Sequence, residues 1–368
     1  MKIAVLSSHT PSLFWFRIEM MHSFIEKGYE VVAIANEKQD KWESAFKEVG
    51  IRYRSVDLSR NGTNPFNDLK TLKSIKEVLA EEKPDKIFAF QAKTVIYGII
   101  AAKQLGIKEV YPLIAGVGSV YLNNDFKTKV IRTILNTEYR YALSKVDTIF
   151  FQNQDDVNTF KENGLINNQN IVYLNGSGVN LQKFEKEELP EQFGLLFIGR
   201  LIKDKGITEY LNACEILKKK YNDIKCMVVG PYDSNPSAIK KEELQRYIDE
   251  GIIEYYGEQS DVRPYLKQCS VFVLPSYAEG TPKTVLEAMA VSRAIVTCDT
   301  RGCKETVENG VNGYLVKVKS VDEIVEAVEK LYLDRNLLKQ MAQASRKMAE
   351  EKFDVNIINE TICSTMNL

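Results

Sequence analysis

The stretch EGTPKTVLEA carries two carboxylates, Glu279 and Glu287, and directly follows the apolar run VFVLPSYA. A strand ending before Glu279 and a helix beginning soon after it would place Glu287 in the second helical turn. Ionised carboxylates only accept hydrogen bonds, so two of them suit the hydroxyl groups of a ligand. The alternative is that Glu279 caps a loop and Glu287 is a solvated helix residue.

The residues between the two carboxylates have the pattern of a helix start. Thr281 is predicted to be the N-cap and Pro282 the first helical residue, where proline is well tolerated. The backbone N–H groups near Gly280, Thr281, Lys283 and Thr284 would then form an anion site. Gly280 lets a ligand approach the backbone closely.

The segment RLIKDKG follows another apolar run, GLLFIG, and two of its cations are candidates for a site. Arg200 is expected at the carboxyl end of this strand and Lys205 just before a helix that opens at Gly206. A forked guanidinium and a compact ammonium suit a diphosphate. Salt bridging at the surface is the alternative for either residue.

The elements that must position these residues alternate along the whole chain. Short β-branched or aromatic runs such as KIAVLS, EVVAIA and DKIFAFQ are separated by segments of helical period, which indicates a parallel sheet covered by helices. After the polar stretch NGSGVNLQKFEKEELPEQF the pattern restarts, so we place a boundary near 180–192. The predicted fold class is α/β, with two Rossmann-like, doubly wound domains facing each other across a cleft.

The domains are predicted at 1–182 and 183–349, and a C-terminal helix, from about 335 on and chiefly 350–368, is expected to cross back to the first domain. Ligands of such sheets bind at the carboxyl ends of the strands, where all the candidate residues lie.

Composition excludes several classes of protein. The 368 residues are 44% hydrophobic and 27% charged with a formal net charge of −1, so a strong nucleic-acid binder is not expected. The six cysteines are scattered without metal-binding spacing, and neither a signal peptide nor a long apolar segment is evident. We therefore expect a cytosolic protein. The segment DFKTKVIRTILNTEYRYALSK mixes basic and apolar residues and reads either as a helix covering the sheet or as a membrane-surface helix.

Together, GRLIKDKG and EGTPKTVLEA resemble the paired signature of the retaining GT-B glycosyltransferases of family 4, including its Glu-x7-Glu motif. The likeness extends to NGSGVNLQKF, which is similar to the interdomain linker, and to NGVNGYLV after the motif. Within the family, the chain looks most like bacterial enzymes that add a sugar, often an N-acetylhexosamine, to an undecaprenyl-diphosphate-linked sugar.

The resemblance implies a role for each residue. Arg200 and Lys205 would bind the donor diphosphate and stabilise the departing nucleotide, with Glu279 on the transferred sugar and Glu287 on the ribose. The backbone from Gly280 to Thr284, which includes Pro282, would hold the distal phosphate. Glu279 is also a rival nucleophile, although the family implies same-face attack with retention and no separate base.

The sequence departs from common patterns in two ways. It contains no Asp-x-Asp, so we expect metal independence and no cofactor, with Arg200 and Lys205 in place of the ion. Many relatives carry a histidine in the middle of the first domain, whereas the corresponding region here, LIAGVGSVY, has Gly116, Gly118 and Ser119.

The residues that could contact the acceptor follow other predicted strands. His9 and Arg17 flank the start of the first helix, and Gln91 and Lys93 follow KIFAF. Each is a candidate for contact with the acceptor, and a plain surface position is the alternative for His9 and Lys93. The run Phe14 to Phe16 is read either as helix core or as an apolar lip near a lipid-linked acceptor.

The expected partners are a nucleotide-sugar donor, a polyprenyl-diphosphate-linked sugar and the inner face of the cytoplasmic membrane, without nucleic acid. UDP follows from the resemblance alone, so GDP- and ADP-sugars stay open. A UDP-sugar 2-epimerase and a catalytically silent partner of another transferase are the alternatives to a hexose or N-acetylhexosamine transferase.

Overall fold

The computed structural model describes residues 1–59, 64–117, 119–121, 125–233, 235 and 237–368, without the side chains of Ser119 and Lys127. The chain divides into two compact units. Unit 1 comprises Met1–Ser177 and Ile358–Leu368, and unit 2 comprises Gly178–Ile357. Gly118, named above, lies outside the described residues.

Unit 1 is built on a parallel seven-stranded sheet in the order β3-β2-β1-β4-β5-β6-β7. Its strands are β1 Lys2–Ser7, β2 Glu30–Ala35, β3 Arg52–Ser55, β4 Lys86–Phe90, β5 Glu109–Ile114, β6 Thr148–Phe151 and β7 Asn170–Tyr173. Its helices are α1 Thr10–Glu26, α2 Gln39–Glu48, α3 Pro65–Glu82, α4 Ala92–Gln104, α5 Phe126–Leu143 and α6 Gln154–Glu162, with a 3₁₀ turn at Ser119–Tyr121.

Unit 2 repeats this plan with six parallel strands in the order β10-β9-β8-β11-β12-β13. The strands are β8 Gly194–Ile198, β9 Lys225–Val229, β10 Glu254–Tyr255, β11 Val271–Leu274, β12 Ala294–Cys298 and β13 Gly313–Val316. The helices are α7 Ile207–Lys220, α8 Lys241–Asp249, α9 Arg263–Lys267, α10 Lys283–Ala290, α11 Val321–Leu333 and α12 Arg335–Lys352. The predicted α/β class, with two doubly wound sheets, is confirmed.

The central strands, such as β1, β4, β8 and β11, are almost entirely apolar because helices cover both faces of each sheet. In β4, Phe88 and Phe90 join the core beneath α1, whereas Ile87 and Ala89 join the core on the opposite face. This alternation follows from the two-residue period of a strand. No helix within the described part of the chain is long and apolar enough to span a bilayer.

The C-terminal segment differs from the single helix expected from about 335. Helix α12 stays in unit 2, where Leu338 and Met341 are buried in its core, and a second helix, α13 Val355–Thr365, follows it. Only Ile358–Leu368 belongs to unit 1. Apolar side chains of α13 fill the α1 side of the sheet there, and the Lys86 ammonium donates to the Met366 carbonyl at 2.5 Å.

A buried carboxylate, Glu82 at the end of α3, ties three segments of unit 1 together. Its oxygens accept from Arg52 at 2.5 Å, Arg54 at 2.6 Å and Lys2 at 3.3 Å. Burial alone raises the pKa of Glu82, but the hydrogen bonds from Arg54 and Lys2 and the charge of Arg52 outweigh it, so the pKa lies below its ordinary value. The ionised form is therefore the one that the fold stabilises.

We predict that Glu82→Gln lowers the free energy of unfolding of unit 1 by about 2 kcal/mol at neutral pH, below the ~3–5 kcal/mol for fully buried pairs, because its partners reach water. A lowered pKa stabilises the fold above the ordinary carboxyl pKa of about 4.3, and this contribution is lost as pH falls through the lowered value. The difference between the wild type and the variant should therefore vanish in acid.

Urea unfolding followed by tryptophan fluorescence measures this, because both tryptophans, Trp15 and Trp42, lie in unit 1. Glu77→Gln, an exposed position on the same helix, is the control. Equal effects of the two substitutions would show that Glu82 does not hold these segments.

Candidate functional site

The candidate site of unit 2 lies where the strand order of its sheet reverses. The chain leaves β8 for β9 on one side, and β11 later pairs with β8 on the other. The loops that follow β8 and β11 therefore leave the carboxyl edge of the sheet side by side. This reversal is the place where open parallel sheets bind ligands.

The loop after β8 passes through a 3₁₀ turn, Lys203–Lys205, and enters α7 at Gly206 with φ +74°. A Cβ atom at Gly206 would lie 2.2 Å from the carbonyl oxygen of Pro275, the first residue after β11. Only glycine allows both this backbone conformation and this approach. The two loops are thus in direct backbone contact.

Hydrogen bonds extend this contact. The carbonyl of Asp204 accepts from the Tyr277 backbone N–H at 2.9 Å and from the Ser276 hydroxyl at 3.1 Å. Next to it, the Lys205 ammonium forms an ion pair with the Glu279 carboxylate. Two predicted site residues that are 74 positions apart in sequence are therefore neighbours.

A third loop, after β12, supports Glu279 from the other side. The Glu279 backbone N–H donates to the Arg301 carbonyl at 3.1 Å. A Cβ at Gly302 would lie 2.1 Å from the Gly280 carbonyl oxygen. Apart from the glycine itself, nothing in the sequence indicates that this loop supports the site.

Helix α10 begins one residue later than predicted. Its N-cap is Pro282, whose ψ of 109° is extended, and the helix has no side-chain cap. The prediction that Thr281 is the N-cap is wrong, and its hydroxyl is buried without a hydrogen-bond partner among the described residues. The Thr284 hydroxyl, at 3.4 Å from the Ile198 carbonyl, places the helix start beside the end of β8.

Glu287 lies in the second turn of α10, as predicted, and is partly buried. Its spacing of three residues from Thr284 and four from Lys283 puts all three on one face of the helix. The Glu287 carboxylate therefore lies on the same face of α10 as Lys283 and Thr284, the first two residues of the helix. The helix begins at the carboxyl edge of the sheet.

Arg200 is placed differently from Lys205. Its side chain is 51% exposed and forms an ion pair at 2.9 Å with Asp233, in the loop after β9. Asp233 was not singled out from the sequence, because a lone aspartate in a polar loop carries no signal. The structure thus brings Lys205, Glu279 and the start of α10 together, with Arg200 held by the loop of the neighbouring strand.

Tyr277 and Glu209 form a second pair at this edge that the sequence analysis missed. The Tyr277 hydroxyl donates to the Glu209 carboxylate at 2.7 Å. Burial and this hydrogen bond raise the pKa of Tyr277 well above its ordinary value, so the phenol stays neutral. Glu209 thereby helps to fix the loop that carries Glu279.

The candidates of unit 1 lie at or near the carboxyl edge of its own sheet. His9 is the N-cap of α1, with Nδ1 2.8 Å from the Ser12 hydroxyl oxygen, and Gln91 is the N-cap of α4. Lys93 is not solvated, since it forms an ion pair at 2.7 Å with Asp68 and both side chains are largely shielded. Arg17 is buried.

The aromatic run on α1 divides between core and surface. Phe14 packs against Phe46 and Trp42, whereas Trp15 and Phe16 are exposed. Gly116 follows β5 with a φ of 139°, and the side chain of Ser119 is not described. Within the described residues, no group of three or more His, Cys, Asp or Glu side chains is arranged to hold a metal ion.

Two family models match the chain. The model described as glycosyl transferases group 1 matches residues 179–348, and that described as glycosyl transferase 4-like matches residues 2–153. The chain is 31% identical, over 97% of its length and 96% of the relative's, to N,N'-diacetylbacillosaminyl-diphospho-undecaprenol alpha-1,3-N-acetylgalactosaminyltransferase of Campylobacter jejuni. It is 24% identical, over 79% of its length and 77% of the relative's, to UDP-Gal:alpha-D-GlcNAc-diphosphoundecaprenol alpha-1,3-galactosyltransferase of Escherichia coli.

Solved structures with the same fold cover the whole chain. Sucrose-phosphate synthase from Thermosynechococcus elongatus superposes with a TM-score of 0.81 at 15% identity, covering 100% of this chain and 98% of that one. HepE of Anabaena, solved with UDP and glucose, has a TM-score of 0.79 at 17% identity and coverage of 100% and 99%. These likenesses show the fold, which is GT-B.

The contact between Gly206 and Pro275 leads to a stability prediction. Gly206→Ala should lower the free energy of unfolding of unit 2 by about 3 kcal/mol or more, because the new Cβ cannot fit against the carbonyl oxygen. Gly251→Ala, at φ +66° with nothing within 4 Å, should lose only about 1 kcal/mol from backbone strain. Urea unfolding followed by circular dichroism measures the free energy of unfolding of both variants. Equal losses of stability would show that the contact between the two loops does not contribute to stability.

Proposed function

This chain belongs to the group 1 glycosyltransferases, and we propose that it transfers a hexose or N-acetylhexosamine from a UDP-sugar to a polyprenyl-diphosphate-linked sugar. The names of the Campylobacter and Escherichia relatives specify acceptors of this kind, and the second names UDP-Gal as the donor. The observation that carries the proposal is the Lys205–Glu279 pair at the strand reversal of unit 2. It sets a cation for a diphosphate directly beside a carboxylate for sugar hydroxyls.

Donor binding exchanges one partner of this pair for another. The diphosphate takes the Lys205 ammonium, and the half-exposed Arg200 adds a second cation. Glu279 then turns its acceptor oxygens to the hydroxyls of the transferred sugar, and Glu287 binds the ribose. The backbone from Gly280 through Thr281, Pro282 and Lys283 to Thr284 holds the distal phosphate at the start of α10.

The reaction follows from where charge develops. As the bond to the diphosphate breaks, the sugar gains oxocarbenium character and the leaving phosphate gains negative charge. Lys205, Arg200 and the start of α10 stabilise that charge, which is the largest catalytic contribution in sites of this type. We propose that no metal ion is needed, because the two side-chain cations supply the positive charge.

We further propose that the anomeric configuration is retained. Both named relatives form α linkages, and UDP-hexoses of these sugars carry an α-linked diphosphate. The acceptor hydroxyl attacks from the face that the diphosphate leaves, and the departing phosphate oxygen takes its proton. In this mechanism Glu279 positions the sugar and forms no covalent bond to it.

Replacement of Lys205 tests the donor site. Lys205→Ala should reduce kcat for sugar transfer by about 10²–10³-fold, because a group that stabilises the leaving charge is lost. Lys203→Ala, an exposed lysine in the same 3₁₀ turn, should change kcat less than twofold. The assay uses a panel of UDP-, GDP- and ADP-sugars with a short polyprenyl-diphosphate sugar, with and without EDTA.

Loss of turnover in EDTA would contradict metal independence. Equal rates for Lys205→Ala and the wild type would contradict the assignment of the diphosphate to this site. If the wild type uses only GDP- or ADP-sugars, the assignment of the donor site stands. The proposal of UDP as the donor nucleotide is then overturned.

A lipid-linked acceptor requires access to a membrane surface, and α5 of unit 1 supplies a suitable face. Along this helix Phe126, Val130, Ile134 and Tyr141 are exposed, Phe126 by 83%, and their spacing forms one stripe. The opposite side packs into the sheet core through Tyr139. The segment FKTKVIRTILNTEYRYALSK has five basic residues and one acidic residue. We propose that this stripe binds the anionic inner face of the cytoplasmic membrane peripherally.

The triple variant Phe126→Ser, Val130→Ser, Ile134→Ser should reduce co-sedimentation with phosphatidylglycerol vesicles at least about tenfold, because the apolar area that inserts is lost. Leu333→Ser removes an apolar side chain of unit 2 that is 69% exposed and is the matched control. If the triple variant binds the vesicles as well as the wild type does, the assignment of this surface to membrane binding is contradicted. It is also contradicted if the control loses as much binding as the triple variant.

A further inference from the structure

Arg17 is a buried charge that the protein itself does not satisfy. Its side chain lies on the sheet-facing stripe of α1 and is only 3% exposed. Its Nε has no hydrogen-bond partner among the described residues, and none of them forms an ion pair with it. Burial lowers the pKa of Arg17 to about 10, so the guanidinium is still charged at neutral pH. A buried, uncompensated charge is unfavourable, which indicates that its partner is a ligand.

The guanidinium is directed to the carboxyl edge of the sheet. Side chains on a helix lean toward its amino terminus, and α1 starts at this edge, just after β1. The guanidinium carbon of Arg17 lies 5.1 Å from the ring centre of Phe90, the last residue of β4. Phe90 is paired with Ser7, the last residue of β1. The strand order of this sheet reverses between β1 and β4, so Arg17 lies at the reversal of unit 1.

Gln91 follows Phe90 at the same edge and is held in an unusual state. Its φ of 74° is rare for a residue with a side chain. Its Oε1 accepts from the Ser8 backbone N–H at 2.9 Å and from the Ser7 and Ser8 hydroxyls at 3.0 and 2.7 Å. The backbone donor fixes the orientation of the amide. The two N–H groups of Nε2 are then left, since no described residue accepts from them.

The side-chain groups that remain available at this edge are hydrogen-bond donors. They suit a ligand that only accepts hydrogen bonds, such as an anion. Arg17 and the Gln91 amide both donate, and two carboxylates of the same unit are already bound. Asp68 pairs with Lys93, and Glu37 accepts from Lys41 and Trp42. A guanidinium fork with an amide suits phosphate oxygens.

We propose that Arg17 and Gln91 form a phosphate site in unit 1 that binds the diphosphate of the lipid-linked acceptor. This proposal rests on the proposed function, in which Arg200 and Lys205 of unit 2 take the donor diphosphate. Unit 1 then needs its own cation for the second diphosphate of the reaction. His9 lies at the same edge as the N-cap of α1 but is not required by this argument.

Two substitutions are designed to abolish phosphate binding at this site while the protein still folds. Arg17→Met keeps the length of the side chain and removes a buried charge without a partner, so the thermal midpoint of unfolding should stay the same or rise. Gln91→Glu keeps an oxygen for Ser7 and Ser8 but replaces the two N–H donors with a negative charge. Lys41→Met is the control, because it removes a cation of unit 1 that already has a carboxylate partner, Glu37.

The first measurement is binding of inorganic pyrophosphate to the full chain by calorimetry, with saturating UDP to occupy unit 2. Pyrophosphate should bind the wild type and the Lys41→Met variant, and its affinity should fall at least about tenfold in Arg17→Met and Gln91→Glu. Equal affinity in all four proteins would overturn the site. A large loss of stability in Arg17→Met would also overturn it, because Arg17 would then be structural.

The second measurement separates the sources of the phosphate. In the transfer assay, both variants should raise the KM for the polyprenyl-diphosphate sugar about tenfold or more, while the KM for the donor changes less than twofold. A rise in the donor KM alone would assign the site to the donor and overturn the acceptor. Pyrophosphate binding that depends on Arg17, in an enzyme that turns over no polyprenyl-diphosphate sugar, would overturn the proposed acceptor and leave a phosphate site for a different substrate.

Discussion

The contact between Gly206 and Pro275 is the constraint on which the site of unit 2 depends. Two loops from neighbouring parallel strands approach so closely that a Cβ atom would not fit between them. The Asp204 carbonyl then accepts from both Tyr277 and Ser276, and Lys205 meets Glu279 beyond it. The contact is possible only because β11 returns to pair with β8, so the strand reversal determines which side chains meet.

The two units repeat one architecture but treat their cations differently. In unit 2, Lys205 is paired with the Glu279 carboxylate, so the two charges compensate each other. In unit 1, Arg17 is buried beside Phe90 without a counter-ion. A pair of this kind suits the donor site proposed for unit 2, where a diphosphate would replace Glu279 as the partner of Lys205 in every cycle. An unpartnered buried cation gains more from an anion, because no existing ion pair has to be broken first.

Support from neighbouring loops gives the site its rigidity. Gly302 packs against Gly280, the Arg301 carbonyl holds the Glu279 backbone, and Tyr277 is anchored on Glu209. In the proposed reaction, a group held by such contacts would not have to reorganise when charge develops on the leaving phosphate, which is the physical basis of electrostatic catalysis. The Glu-x7-Glu spacing is useful because the loop that carries Glu279 and the second turn of α10 are both held in place.

The sequence by itself determined the elements and much of the candidate site of unit 2. Apolar runs and helical periods are local properties, so the strands, the two-domain plan and the candidates Lys205, Glu279 and Glu287 were readable from it. Only the tertiary structure decided that Lys205 and Glu279 are in contact, that Asp233 pairs with Arg200 and that Gly302 supports Gly280. The structure also shows that Pro282 and not Thr281 caps α10 and that Lys93 pairs with Asp68. Arg17 is buried, and its Nε has no hydrogen-bond partner among the described residues. Side-chain partners depend on strand order and on loops far apart in sequence, and no local pattern encodes them.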